Sequence, residues 1–190
     1  MSEEEREQEE VEEPAEEPIE KKDPDLVLLQ AKIGAGFLGA TDHRGQISAQ
    51  VAPDALLDAA RFLRGERGYK LLSFVCGVDC LELPVSYRFK VTYSLLNPEK
   101  SRRLRLEAPC ADDLEPAMPS VCGIWPGARL HESEAYDLLG ITFEGHPDLE
   151  RILTPEGFEG HPHRKDFDIS AEPVAFTFRD TPAGKPRAAE

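Results

Sequence analysis

The most constraining feature of this chain is the segment from residue 128 to residue 167, where a short helical pattern is followed by closely spaced glycines and prolines. Residues 128–139 hold good helix formers, and Gly140 supplies the residue that most easily adopts the left-handed conformation at a helix end. Residues 141–144 alternate apolar and polar side chains, which predicts a brief extended piece. Two Gly-His-Pro tripeptides follow, and each proline keeps the histidine before it out of the helical region. The sequence therefore predicts a helix followed by a rigid, irregular arm.

One acid of this predicted helix falls on its apolar face. Because a helix has about 3.6 residues per turn, Glu132 shares a face with Ala135 and Leu139. A carboxylate at that position requires a cation or several hydrogen-bond donors, since an unpaired buried charge costs several kcal/mol. Glu134 and Asp137 lie on the other side of the helix, where we expect them to be solvated or to face a neighbouring surface.

The remaining pattern predicts an α+β fold with a single mixed or antiparallel sheet, helices packed on one side and an irregular C-terminal arm. Apolar periodicity places strands at 26–33, 46–52, 69–81, 87–95, 103–108 and 120–125, and further helices at 53–63 and 112–116. The glycine-rich stretch between the first two strands is predicted to be loop and turn. Asn97 and Pro98 provide a turn, so the strands on either side of it should form a hairpin.

Residues 1–22 form an acidic segment with almost no apolar side chains. Eleven glutamates against Arg6, Lys21 and Lys22 give it a net charge of −8, while the whole chain carries −15. Such a segment is expected to be disordered, and the negative charge disfavours nucleic acid as a partner. The acidic start lacks the regions of a signal peptide, and no apolar run approaches the roughly 20 residues that span a bilayer. We expect a protein that is made in the cytosol and meets the membrane only through partners.

These patterns divide the chain into four parts. They are a disordered acidic tail over 1–22, an α+β core over 23–142, an extended docking arm over 143–180 and a frayed end over 181–190. A stretch as long as the arm without secondary structure is unusual in a compact domain unless it lies on a partner.

The four cysteines are expected to be free thiols in a reducing cytosol. Cys76 and Cys80 lie in a strand-like run, where four positions span about 13 Å, whereas zinc holds each sulfur at about 2.3 Å. Cys110 and Cys122 would complete four ligands only if Gly77 made a sharp bend. We therefore expect small core side chains, and the spacing does not suit a redox cluster.

Two catalytic alternatives are weaker. The Gly-Ala-Gly at 34–36 lacks the Gly-Lys-Ser/Thr ending of a phosphate loop, so nucleotide binding is not expected there. A stand-alone metal-dependent hydrolase would draw on the acids and histidines of the C-terminal half, namely His131, Glu132, Glu134, His146, His161 and His163. No second histidine follows His131 by four residues, and the sequence supports no nucleophilic triad.

A family resemblance rests on spaced residues in this same region. In register they are Glu132, Glu134, Asp137, Leu138, Leu139, Gly140, Ile141, Phe143, His146, Pro147, Leu149, Arg151 and Leu153, followed by GHPHRKDF at 160–167. This pattern resembles the signature of the C subunit of NADH:quinone oxidoreductase, respiratory complex I, over roughly residues 119–169, with weaker similarity back to about residue 26. Ser133 departs from it, because the family has Arg there. If that Arg neutralises the flanking acids, Arg151 or Arg129 should do so in this chain.

The resemblance implies a non-redox scaffold subunit of the peripheral arm, docked against the quinone-reacting subunit. It implies no catalytic, cofactor-binding or metal-binding residues in this chain; FMN, iron–sulfur clusters, NADH and quinone belong to the assembly. That assembly transfers electrons from NADH to quinone and translocates protons, and this protein would lie at the cytoplasmic side of a bacterial cell membrane. The implied docking residues are Glu132, Glu134, Asp137, Gly140, His146, Pro147, Arg151, His161, Pro162, Arg164, Lys165 and Asp166.

Related subunits occur in membrane-bound hydrogenases and in ferredoxin-linked relatives of complex I. The electron donor therefore stays open at this point, as does the choice between ubiquinone and menaquinone.

Overall fold

A computed structural model describes residues 23–168 of the 190-residue chain. The predicted acidic tail, the frayed end and the last part of the predicted arm lie outside the described residues.

Three α-helices and seven strands occur among the described residues, with short 3-10 turns at Gly34–Gly36 and Pro53–Ala55. In chain order the elements are α1 (Pro24–Ile33), β1 (Phe37–His43), β2 (Gln46–Val51), α2 (Leu56–Gly65), β3 (Leu71–Asp79), β4 (Phe89–Asn97), β5 (Arg102–Pro109), β6 (Ala117–Pro119), α3 (Ala128–Leu139) and β7 (Thr142–Glu144).

The main sheet has five strands in the order β1-β2-β5-β4-β3. Its strands pair antiparallel except β2 and β5, which run parallel, so the sheet is mixed. The predicted hairpin of β4 and β5 is confirmed, with Asn97 opposite Arg102 at its turn. A second, two-stranded parallel sheet of β6 and β7 lies beside it. The predicted α+β class with a mixed sheet is confirmed.

The core lies between one face of the sheet and the helices. Val75, Tyr93 and Leu106 stand side by side across β3, β4 and β5, and they share one buried cluster with Leu56 and Leu63 of α2. The predicted helix after Pro53 is confirmed as α2, entered through a 3-10 turn.

Helix α3 packs closely on β3 because Gly77 has no side chain. A Cβ atom at this position would lie 2.6 Å from Leu139 and 2.7 Å from Ile141. The glycine that the sequence suggested as a possible bend in a cysteine site is thus a contact point for the helix.

The predicted first strand is wrong, because residues 24–33 form α1. The Asp23 carboxylate accepts the backbone N–H of Asp25 at 2.8 Å, and Pro24 occupies the first turn, where its missing N–H has no cost. Asp25 is buried against Arg67 and accepts a hydrogen bond from the Tyr69 hydroxyl at 2.9 Å. The capping signal at Asp23 and Pro24 therefore outweighs the apolar run that suggested a strand.

The predicted loop at 34–45 is also wrong in part, since residues 37–43 form β1 and pair with β2. Arg44 and Gly45 connect the two strands, and both have positive φ values, 54° and 80°. Two such residues give the twist that suits a tight hairpin. The turn was predicted correctly, but the strand before it was missed because its small and polar residues give no strand pattern.

The connection between β5 and α3 differs from its prediction. Residues 112–116 form bends and not a helix, and residues 120–125 form turns and not a strand. The strand of this region is β6, just before those turns. Pro119 is its last residue, and the N–H of the following Ser120 donates to the Glu144 carbonyl of β7 at 2.8 Å.

The longest helix among residues 23–168 is α3, with 12 residues, and none of the described helices has the length and apolar character to cross a membrane.

Candidate docking site on helix α3 and the C-terminal arm

Helix α3 forms where the sequence predicts it and ends at Gly140. After β7, residues 145–168 contain neither helix nor strand, and this segment is called the arm below. The arm turns back and contacts the C-terminal half of α3, so its shape is set by hydrogen bonds to that helix and to β3.

Asp137 is the first anchor of the arm. It was expected on the outer side of the helix, and that prediction is wrong, because the residue is 0% exposed. Its Oδ2 accepts the backbone N–H groups of Ile152, Leu153 and Thr154 at 3.0, 2.7 and 2.9 Å, and its Oδ1 accepts the Thr154 hydroxyl. Burial alone would raise the pKa of Asp137, but the hydroxyl and the three N–H groups outweigh it and hold the pKa below its ordinary value.

The second anchor caps the C-terminal end of α3. The last carbonyl groups of a helix lack partners within the helix, and cations are favoured beside them. Here three consecutive carbonyl groups of α3 find their partners in the arm. His161 Nδ1 lies 2.8 Å from the Asp137 carbonyl oxygen. The His163 N–H donates to the Leu138 carbonyl at 3.0 Å, and Arg164 Nε donates to the Leu139 carbonyl at 2.7 Å. The motif that begins at the second Gly-His-Pro is therefore a helix cap.

Gly140 makes this cap possible. Its φ of 74° and ψ of 26° place it in the left-handed region. A Cβ atom here would lie 2.6 Å from His161 Nε2 and 2.7 Å from Arg164 Nη2. The residue is needed both for its conformation and for the close approach of the arm.

A third anchor joins the end of the arm to the edge strand β3. The buried Asp79 carboxylate accepts the backbone N–H of Lys165 at 2.9 Å, and Arg88 bridges Asp79 at 3.3 Å and Asp166 at 2.6 Å. The hydrogen bond from Arg88 holds the pKa of Asp166 below its ordinary value, and burial opposes it. Burial raises the pKa of Asp79, and the bonds from Lys165, Arg88 and Leu81 lower it further than burial raises it. The guanidinium of Arg164 lies over the Phe89 ring, 5.1 Å from its centroid.

Arg151 folds the arm on itself. Its Nη1 and Nη2 donate to the carbonyl oxygens of Phe158 and Gly160, each at 3.0 Å, while its Nε lies 3.9 Å from Asp137 Oδ1. The rings of Phe158 and Phe167 stack with centroids 5.9 Å apart. Arg151 thus organises the loop between the two Gly-His-Pro corners.

Glu132 is buried in α3, as predicted, and its partners are donors and not a cation. Its carboxylate accepts the Ser120 hydroxyl at 2.6 Å, the Val121 N–H at 2.8 Å and the Cys122 thiol at 3.3 Å. The expected pairing of this acid with Arg151 or Arg129 is wrong, because Arg151 donates its hydrogen bonds to carbonyl oxygens of the arm. Arg129 pairs with Asp148 at 2.5 Å.

The first Gly-His-Pro corner is held against the start of α3. His146 Nε2 lies 3.1 Å from the Arg129 carbonyl oxygen, and its Nδ1 accepts the Asp148 N–H at 3.1 Å. Pro147 follows His146 at this corner, as Pro162 follows His161 at the second corner. Gly145 and Gly160, which begin the two corners, both have positive φ values, 82° and 85°.

The comparisons with known proteins agree with the signature. The family described as "Respiratory-chain NADH dehydrogenase, 30 Kd subunit" matches residues 49–173. The chain belongs to this family. The C subunit of NADH-quinone oxidoreductase from Roseiflexus sp. (strain RS-1) is 45% identical over 152 residues, which cover 79% of this chain and 86% of that protein. The protein of the same name from Burkholderia mallei (strain SAVP1) is 41% identical over 151 residues, covering 75% and 74%.

Two solved structures share this fold. A trypsin-resistant fragment of Nqo5, residues 1–134, gives a TM-score of 0.58 at 27% identity and covers 65% of this chain and 97% of the fragment. A chain of the membrane-bound sulfane sulfur reductase, an archaeal respiratory membrane complex, gives a TM-score of 0.63 at 25% identity and covers 87% and 93%.

The structure places the residues of the family signature in two groups. Asp137, Gly140, Arg151, His161 and Arg164 meet at the C-terminal end of α3, with Pro162, Lys165 and Asp166 beside them. Glu132, His146 and Pro147 lie toward its N-terminal end, and Glu134 is exposed between the groups, with His131 Nδ1 4.0 Å from its carboxylate.

This separation bears on the hydrolase alternative. Of the six acids and histidines proposed for it, Glu132 and His146 come together, and Cys122 joins them. His161 and His163 serve the helix cap, and His131 lies with Glu134 on the surface. The six side chains therefore do not form one metal centre.

Sequence reasoning missed Thr154, Asp79 and Arg88 as parts of this site. An acid at the end of the apolar run of β3 was a usable signal for Asp79, because a buried carboxylate requires partners. Thr154 and Arg88 gave no signal of their own, since Thr154 meets Asp137 17 residues away and Arg88 meets Asp166 78 residues away in the chain.

Proposed function

We propose that this protein is a non-redox scaffold subunit in the peripheral arm of NADH:quinone oxidoreductase, and that α3 and the arm dock it against the quinone-reacting subunit. The observation that carries the proposal is the arm itself, 24 residues without helix or strand that three sets of charge-assisted bonds hold in one shape. A segment of this kind presents a fixed surface without a core of its own.

The charged groups of the site favour a positioning role over catalysis. Asp137 has its oxygens directed at donors of the arm, Arg164 donates to the end of α3, and Asp166 pairs with Arg88. Side chains whose polar atoms are all bonded within the protein fix the shape of the arm, whereas a general acid or base must reach a substrate proton.

The arm exposes two large apolar side chains. Ile152 and Leu153 donate their N–H groups to Asp137, yet their side chains are 45% and 59% exposed. Leu130 on α3 is 66% exposed. Large apolar side chains presented by rigid backbone are typical anchors of an interface.

The Nqo5 fragment supports a protease-resistant unit shorter than this chain. It aligns with 65% of this chain and 97% of its own length. In the proposed assembly, the arm gains its full stability on the neighbouring subunit.

In this proposal the redox chemistry belongs to other subunits. FMN accepts electrons from NADH, iron–sulfur clusters carry them, and quinone receives them at the membrane. The scaffold itself holds no flavin, cluster or quinone, and it reaches the cytoplasmic side of a bacterial cell membrane through its partners.

The test is to replace Arg164 or Asp137 by alanine in the intact complex. Either change leaves buried hydrogen-bonding groups without a partner, at a cost of about 1–3 kcal/mol for each group. We expect assembled complex and total quinone reduction to fall in parallel, while the rate per intact complex on a native gel stays near wild type.

Arg103→Ala removes an exposed arginine of β5, away from the site, and serves as the matched control with unchanged assembly. Full assembly of the Arg164→Ala complex with turnover lowered a hundredfold would show that the residue takes part in quinone or proton chemistry, and the scaffold proposal would have to be abandoned.

A second assembly is supported by one observation, the structural match to a chain of the archaeal membrane complex, which covers 87% of this chain. In that alternative the same scaffold serves a complex I relative, such as a membrane-bound hydrogenase or a ferredoxin-linked enzyme. The purified complex distinguishes the two, because only the first oxidises NADH, and the second requires another donor.

A further inference from the structure

Near the N-terminal end of α3, three side chains of different ligand types converge. One ligand atom each of Cys122, Glu132 and His146 lies within 4.8 Å of the other two, and the Cys122 sulfur is 3.3 Å from Glu132 Oε2. A tetrahedral zinc ion with bonds of 2.0–2.3 Å separates its ligands by roughly 3.5 Å. The thiol and carboxylate already have that spacing, and one ring nitrogen of the imidazole lies within 4.8 Å of both.

A buried polar atom that feels the charges of Glu132 and Cys122 lacks a hydrogen-bond partner among the described residues. Tyr93 is 0% exposed, and its hydroxyl makes no hydrogen bond within the part of the chain that the structure describes. Burial raises the pKa of Tyr93 well above its ordinary value, and the groups that raise it further are Glu132, Cys110 and Cys122. A buried hydroxyl without a partner costs free energy, which points to a polar group near Tyr93 that the described residues do not supply.

We propose that Cys122, Glu132 and His146 bind one Zn²⁺ ion, with a water molecule as fourth ligand and the Tyr93 hydroxyl as hydrogen-bond partner of that water. Sulfur, imidazole nitrogen and carboxylate oxygen are the three ligand types that zinc takes in proteins. The site goes beyond the scaffold function and does not depend on it, and it departs from the expectation that this chain holds no metal.

The surroundings of the three ligands suit a bound ion. The Ser120 hydroxyl holds Glu132 at 2.6 Å, and the Arg129 carbonyl lies 3.1 Å from His146 Nε2. Hydrogen bonds to the ligand atoms that do not bind the metal fix the orientation of a metal ligand. With Nε2–H donating to that carbonyl, Nδ1 is the ligand atom, and it exchanges its bond from the Asp148 N–H for the metal. The Cys122 S–H bond breaks as the zinc–sulfur bond forms, and the proton passes to water.

Such an ion would tie together three parts of the fold: the turn at 120–122, helix α3 and the first Gly-His-Pro corner. All three lead into the docking arm, so the ion would stabilise the base from which the arm extends.

The test uses the full chain, stripped of metal with a chelator and titrated with Zn²⁺. We expect one equivalent bound per chain and a rise in melting temperature. Co²⁺ in place of Zn²⁺ should give a sulfur-to-metal charge-transfer band. Cys122→Ser should lose the band and weaken Zn²⁺ binding at least tenfold, and His146→Gln should weaken it at least tenfold.

Cys76→Ser is the matched control, because Cys76 is an exposed thiol on β3 outside the cluster. It should leave binding and the Co²⁺ band unchanged. The metal-free Cys122→Ser chain should melt near the metal-free wild type, which separates loss of the site from loss of the fold. Absence of stoichiometric Zn²⁺, binding that survives Cys122→Ser, or binding that requires Cys76 would each overturn the proposal.

Discussion

Asp137 and Thr154 are joined by two hydrogen bonds across 17 residues of chain, one from the Thr154 N–H to Oδ2 at 2.9 Å and one from its hydroxyl to Oδ1. The bonds from Ile152 and Leu153 add to them. A single carboxylate of α3 thereby fixes three consecutive residues of the arm. The signature acid at this position is therefore an anchor for the arm.

Asp137→Ala should release the arm from α3 in the isolated protein. It leaves three N–H donors without their acceptor, and each buried donor left unsatisfied costs about 1–3 kcal/mol. We expect faster trypsin cleavage after Arg164 and Lys165 with little change in the core, measured by digestion and mass spectrometry.

Asp137→Asn should have a smaller effect on cleavage, since its amide oxygen can accept the N–H groups and its amide nitrogen can donate to the Thr154 hydroxyl. Glu134→Ala, which removes an exposed acid of the same helix, should leave cleavage unchanged; equal cleavage of the Asp137→Ala and Glu134→Ala chains would contradict this role.

Gly140→Ala should both destabilise the fold and detach the arm. An L-residue in the left-handed region costs roughly 1–2 kcal/mol, and the added methyl group would also meet His161 and Arg164 at 2.6 and 2.7 Å. Gly45→Ala separates the two effects, because Gly45 has a φ of 80° and nothing within 4 Å of its Cβ position. Urea unfolding should show a loss in both variants, and only Gly140→Ala should speed cleavage of the arm. Slow cleavage in Gly140→Ala would mean that the arm tolerates a shifted cap.

His161 should make stability fall as the pH drops below neutrality. Burial lowers the pKa of His161 from 6.5, opposed by its bond to the Asp137 carbonyl and reinforced by the charges of Arg164 and Arg151. The unfolded chain therefore takes up this proton at a higher pH than the folded chain does. The stability that His161 contributes is fully present above its ordinary pKa and is lost as the pH falls through the folded value. Melting temperatures between pH 8 and about pH 5 should fall less in His161→Gln than in wild type, and parallel profiles would contradict the assignment.

Local signals allowed much of the fold to be predicted. The end of α3 at Gly140 and the hairpin of β4 and β5 follow from residues adjacent in sequence, and both are confirmed. Helix α1 was available from the same kind of signal, since Asp23 and Pro24 mark a helix start, but the apolar run after them was given more weight. The strand β1 was harder, because a sheet edge with small and polar residues has little periodicity.

The partners in the site could not be predicted, because they come from distant parts of the chain. The helical wheel placed Asp137 on an outward face, and it did so correctly for an isolated helix. Burial of that face depends on an arm that returns 15–17 residues later. The donors to Glu132 likewise come from the turn at 120–122, a region that the pattern assigned to a strand.

Deletion of residues 1–22 should leave folding and assembly unchanged. This segment lies outside the described residues, and its composition offers too little apolar surface to offset the entropy of ordering it.

The boundary of the deletion matters, because Asp23 caps α1 and pairs with Arg102, while Asp25 binds Arg67 and Tyr69. Deletion of residues 1–25 is therefore the matched comparison, and it should lower the melting temperature of the protein and the yield of complex, since Arg67 and Arg102 lose their buried partners. Co-purification of the neighbouring subunits measures both variants. A marked loss of neighbours on removal of residues 1–22 alone would show that the acidic segment binds a basic surface in the assembly.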